Sequence, residues 1–145
     1  MDFSLTSDQD ELRSLARQIL TDVCTPEHLK NISATDTGTD LALWRTLGEA
    51  GLVGIGLPES VGGAGLGIIE ISIVLEEIGR VAAPVPGFAV MGLAANSLVA
   101  YPDLLDGVAN GDVIVTAAIH EQVGDAFHPA TKVVDGKITG TKVCV

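Results

Sequence analysis

The sequence predicts a mainly α fold: an N-terminal helical bundle over residues 1–112, followed over 113–145 by the start of an antiparallel β domain. Three observations carry this prediction. The apolar residues Leu12, Leu15, Ala16, Ile19, Leu20 and Val23 recur at the spacing of a single helical stripe. From Val113 onward β-branched residues predominate. Within that region Asp135-Gly136 separates two apolar alternations, a strong signal for a two-residue hairpin turn. With 145 residues, 47% hydrophobic and 19% charged, the chain can bury a core of its own.

Taken in order, the first helix runs from Asp8 to Val23, with Ser7 as its expected cap and Asp8, Asp10 and Glu11 at its positive end. Pro26 marks its exit, and the polar stretch from Asn31 to Thr39 reads as a mobile loop. Asp40 then caps a second helix that turns Leu43, Trp44 and Leu47 inward. Leu52 to Leu57 is a short apolar run, and Pro58 to Gly67 is too rich in glycine to be regular. Ile68 to Arg80 is apolar nearly all round, as expected of a central buried helix, although Glu76 and Glu77 lie near the end where the helix dipole disfavours acids. After Pro84 and Pro86 break the pattern, Gly87 to Ala100 resumes it as a buried helix of small residues, and a short helix is expected over Leu104 to Ala109. Strands are expected over Val113 to Ile119, Thr131 to Val134 and Lys137 to Val145. Because this last strand pattern is still open at Val145, the expectation is an N-terminal fragment of a longer protein; the competing reading is a stand-alone interaction module. Exposed helix faces and an unpaired terminal strand further predict self-association.

Charge and composition exclude several function classes. Eight Lys and Arg against nineteen Asp and Glu give a net charge of −11, which repels nucleic acid and anionic lipid. The longest apolar stretch, Phe88 to Ala100, is too short for membrane insertion. Cys24 and Cys144 stand far apart and are expected as buried thiols in a reducing setting, and the acidic start does not resemble a signal peptide, so the expected location is cytoplasmic. Gly65-Leu66-Gly67 precedes a helix as a phosphate loop would, but Glu70 stands where a third glycine belongs and the Walker lysine is absent, so a loop of close backbone contacts is expected. His120-Glu121 opens like a zincin motif, yet the fifth position is Gly124, and no metal site is expected. Glu76 and Glu77 could act as a general base only if buried in a cleft. No complete set of catalytic residues emerges.

Three ordered motifs are specific enough to carry a resemblance. They are Leu43 to Leu52 (LWRTLGEAGL), Leu57 to Gly67 (LPESVGGAGLG) and Leu75 to Gly79 (LEEIG), preceded by Asp2-Phe3-Ser4-Leu5-Thr6-Ser7-Asp8-Gln9. In these residues the chain resembles the N-terminal region of acyl-CoA dehydrogenases, over essentially its whole length. The resemblance implies a helical domain followed by a β domain and then a C-terminal helical domain beyond this chain. It implies FAD as cofactor, an acyl-CoA substrate, and α,β-dehydrogenation in which a Glu outside this chain removes the α proton while the flavin accepts hydride from the β carbon. Homo- or hetero-oligomers of acyl-CoA dehydrogenase-like subunits are the implied partners.

Residue by residue, Pro86 to Ala95 matches the helix lining the acyl pocket, which makes Pro86, Val90, Met91 and Ala94 the candidates for substrate contact. The flavin-contacting segment aligns with Ile119-His120-Glu121-Gln122 and makes Ile119 and His120 the cofactor candidates. There His120 stands where the family has Thr or Ser, and Gln122 replaces Pro. Some members work as mixed assemblies in which one subunit has lost its flavin site, and the departure at His120 and Gln122 suits such a subunit.

Overall fold

An amphipathic stripe can bury itself only against another element, and here its partner is the helix richest in β-branched residues. In a computed structural model that describes residues 4–124 and 127–143, α1 (Ser7–Val23) packs along α4 (Ile68–Arg80), with α2 (Pro26–Ser33) and α3 (Leu41–Glu49) between them in sequence. Asp2, Phe3, Asp125 and Cys144 lie outside the described residues. The chain divides into two compact units, one up to Val115 and the other from Thr116.

The first unit is helical and built on one core. Ala16 and Leu20 of α1, Leu43, Trp44 and Leu47 of α3, and Ile71, Val74 and Ile78 of α4 meet there, joined by Leu52, Ile55 and Leu57 from the apolar run. Local signals set the helix ends. Thr6, rather than the expected Ser7, caps α1: its hydroxyl accepts the Gln9 N–H and the Gln9 side chain returns to the Thr6 N–H. Pro26 begins a helix instead of only ending one. It occupies the first turn of α2 behind the Thr25 cap, where its missing N–H costs nothing, so helix replaces the expected loop as far as Ser33. Asp40 caps α3 as expected, accepting the Leu43 N–H at 3.0 Å.

The glycine-rich motifs bring backbone against backbone. A Cβ on Gly48 would lie 2.1 Å from the Asn110 carbonyl oxygen, and one on Gly63 would lie 2.0 Å from that of Leu57. Both positions therefore exclude any side chain.

Beyond Pro86 regular helix gives way. Phe88–Ala94 is a π-helix and Ala95–Leu98 a 3-10 turn, in place of the single expected helix over Gly87 to Ala100. The Ala95 N–H reaches back five residues to the Val90 carbonyl, and the Asn96 side chain donates to the Met91 carbonyl at 3.0 Å, so wide-turn bonding is satisfied locally. The expected helix over Leu104 to Ala109 reduces to a 3-10 turn at Pro102–Leu104 followed by turns.

In the second unit, β1 (Lys132–Val134) pairs antiparallel with β2 (Lys137–Thr139), with Val133 opposite Ile138. The turn is the one Asp-Gly favours, with φ of 49° at Asp135 and 72° at Gly136. Among the described residues Val113 to Ile119 forms no strand, because β-branched residues alone make no ladder without a neighbouring edge.

Candidate functional site

The expected substrate contacts come from the π-helix and the turn before it. Pro86 is half-buried, while Val90, Met91 and Ala94 are 0%, 3% and 2% exposed and face the core. The cavity beside them, bounded by Val53, Leu57, Ile71, Met91 and Ala95, measures about 10 Å³, no more than the space of one water. On the opposite face Phe88 and Leu93 are exposed. The Phe88 ring lies over Gly92, where a Cβ would approach it to 2.8 Å.

The expected cofactor residues lie in the second unit. Ile119 and His120 are both exposed, and their carbonyls are already engaged, Ile119 by the Lys142 ammonium and His120 by the Val143 N–H. Beside them is an arrangement that sequence reasoning missed. The Glu121 carboxylate accepts the Lys142 ammonium at 2.6 Å and the backbone N–H groups of Ala130 and Thr131. Lys142 first, with those amides, holds its carboxyl at about 2, so it is ionised throughout the physiological range. Lys142 is 21 residues away, and no periodicity links the two.

The acids near the end of α4 separate. Glu76 is exposed, with Arg13 3.9 Å away. Glu77 is 1% exposed, and its oxygens accept from Arg17 of α1 at 2.6 and 3.0 Å and from Arg80 at 2.6 Å. Arg80 also donates to the Thr21 hydroxyl. The Arg17 hydrogen bonds outweigh the effect of burial and, with Arg80, keep the Glu77 carboxyl below its usual range. A carboxylate neutralised by two guanidiniums is a weak proton acceptor, so Glu77 clamps α1 to α4 and does not serve as a base.

The glycine-rich loop spends its amides internally. Gly63, Ala64, Gly65 and Leu66 donate to the carbonyls of Pro58, Gly54, Leu57 and Ile55, which leaves those N–H groups no anion to cradle. A surface cleft of about 660 Å³ lies between Ser60-Val61-Gly62 and Asp103, Asp106 and Asn110. Among the described residues, no group of three or more His, Cys, Asp or Glu is placed to hold a metal, and no helix is long and apolar enough to cross a membrane.

Residues 6–124 match the family described as "Acyl-CoA dehydrogenase, N-terminal domain". The chain is 35% identical over its whole length to acyl-CoA dehydrogenase FadE27 of Mycobacterium tuberculosis, covering 41% of that protein. It is also 35% identical over its whole length to FadE28 of the same organism, covering 39%. Among solved structures, a variant of the Tcur3481-Tcur3483 steroid ACAD matches 94% of this chain and 40% of its own, with a TM-score of 0.86 at 40% identity. The ChsE4-ChsE5 complex from Mycobacterium tuberculosis matches 98% of this chain and 41% of its own, with a TM-score of 0.85 at 34% identity. The chain spans about two-fifths of the length of the relatives it matches. Motifs, helical architecture and these matches agree: the chain belongs to the acyl-CoA dehydrogenase family.

Proposed function

We propose that the chain forms the helical substrate side of an acyl-CoA dehydrogenase whose whole protein, a cytoplasmic oligomer, performs α,β-dehydrogenation of an acyl-CoA thioester. The observation that supports this most is the match to the steroid ACAD over 94% of the chain. In this reading the acyl tail enters on the core side of the π-helix and touches Pro86, Val90, Met91 and Ala94. A 10 Å³ cavity admits no such tail at rest, so the helix moves outward on binding. Its wide turns depart from regular α-helical bonding.

FAD, when bound, supplies the acceptor for the substrate's β hydride. The described residues of this chain do not by themselves make a flavin cradle. Ile119 has no polar side-chain atom, the Ile119 and His120 carbonyls are engaged, and the Glu121 carboxylate is shared among three donors.

That shortfall favours a second reading, in which the chain belongs to the subunit of a heteromeric acyl-CoA dehydrogenase that has lost its own flavin site. The likeness to the ChsE4-ChsE5 complex supports it. The test is to purify the whole protein alone and with its partner subunit, then measure flavin absorbance and acyl-CoA-dependent reduction of an electron acceptor. Flavin and activity only in the pair support the heteromeric reading, and stoichiometric FAD in the lone protein overturns it. Absence of acyl-CoA oxidation from both preparations overturns the dehydrogenase reading itself.

A further inference from the structure

The helix that carries the proposed substrate contacts changes its hydrogen-bond step along its length. It starts with the ordinary step, the Val90 N–H donating to the Pro86 carbonyl four residues back at 2.9 Å. Further on, the Ala95 N–H skips the Met91 carbonyl, four residues back, and donates to that of Val90, five back. A buried backbone carbonyl left without a donor costs free energy comparable to a lost hydrogen bond. Met91 is 3% exposed, and its carbonyl takes its donor from a side chain, Nδ2 of Asn96 at 3.0 Å. Ser97 acts in the same way one turn later, its hydroxyl donating to the Ala94 carbonyl at 2.6 Å.

Two donors can therefore serve the Met91 carbonyl. If the Ala95 N–H serves it, the turn has the α step and the Asn96 amide is released. If the Asn96 amide serves it, the Ala95 N–H goes to Val90 and the turn is wide. Asn96 also lies on the wall of the small cavity beside Met91, and a Cβ on Gly56 across that cavity would lie 3.7 Å from its Oδ1. The side chain that distinguishes the two turns thus stands at the space the acyl tail would have to enter.

We propose that Asn96 is a catch that holds the substrate helix in its wide-turned form, and that releasing its amide from the Met91 carbonyl lets the turn tighten to the α step and opens the cavity. Successive residues of an α-helix point about 100° apart around its axis. Taking one residue out of the wide turn rotates Val90 and Met91 by about that angle relative to Ala95 and the residues after it, which carries the Met91 side chain off the cavity wall. Wide turns of this kind are found mostly at functional sites. The outward movement needed for substrate then has a local cause: one side-chain hydrogen bond exchanged for one backbone hydrogen bond.

Scalar couplings across hydrogen bonds, measured by NMR on the purified, isotopically labelled full chain, read the step directly. In the wild type the Ala95 nitrogen is expected to couple to the Val90 carbonyl, and the Asn96 side-chain nitrogen to the Met91 carbonyl. In Asn96→Asp, which keeps the shape but loses the donor, and in Asn96→Ala, the Ala95 coupling is expected to move to the Met91 carbonyl. A coupling that stays on Val90 in either variant overturns the catch. So does a wild type in which the Asn96 amide shows no coupling to Met91, a result that needs no variant to fold. The connection to substrate rests on the function proposed above. The couplings are measured without substrate, so loss of the dehydrogenase reading leaves the catch standing, and the reverse holds as well.

Discussion

The two units are held together by different physics. In the unit up to Val115, residues far apart in sequence share one apolar core, with Trp44, Leu20, Leu47 and Val74 all fully enclosed. From Thr116 onward no described residue is buried, and both strands are exposed throughout. What shapes that unit is a left-handed turn and a carboxylate shared among three donors. Burial gives a cooperative unit with long-range order; a few polar contacts give a local shape, since a two-stranded hairpin by itself is marginal in water.

The sharpest way to break the contrast is Trp44→Ala. Removing a fully enclosed indole costs about 3–5 kcal/mol. The denaturation midpoint followed by circular dichroism should drop accordingly, with no change in exchange at β1 and β2. Because the chain has one Trp, wild-type indole fluorescence reports the helical unit alone. A smaller loss, about 2 kcal/mol, is expected for Glu77→Gln, since Arg17 and Arg80 keep access to water once their shared partner is neutral. The wild-type carboxyl is depressed, so its contribution is present above the ordinary glutamate range and lost as pH falls below about 4. Acid titration of the variant should therefore be flatter. In the second unit, Glu121→Gln should release the Ala130 and Thr131 amides to exchange while leaving the helical melting curve where it is. Smallest is Gly136→Ala, about 1 kcal/mol of turn strain at a φ of 72°, felt by the hairpin amides alone. A shift of the helical unit by either of the last two variants would mean that the units are coupled.

The same contrast explains what could be read from the sequence. α1, α3 and α4 were legible because a buried helix face leaves a periodic record, and α4 starts and stops at the expected Ile68 and Arg80. The Asp135-Gly136 turn was legible because its backbone demands those residue types. α2 was missed because it is short and its apolar residues, Leu29 and Ile32, are only half-buried and too few to leave a long periodic record. The π-helix escaped because its five-residue backbone bonding, as from the Ala95 N–H to the Val90 carbonyl, is not what the ordinary helical period reads. In the candidate site, the proposed pocket helix and flavin segment rest on motifs. Arg17 with Glu77 and Glu121 with Lys142 were not, since partners 60 and 21 residues apart meet only once the chain has folded.

The approach of Gly48 to the Asn110 carbonyl has a consequence for redesign. A contact between two side chains can be retuned by changing either one, whereas this contact contains no side chain at all. Enlarging position 48 leaves position 110 no compensating substitution, because a carbonyl is the same in every residue. The spacing between α3 and the end of the helical unit is thereby fixed by the dimensions of the peptide group, and any engineered widening of the unit would have to be made elsewhere.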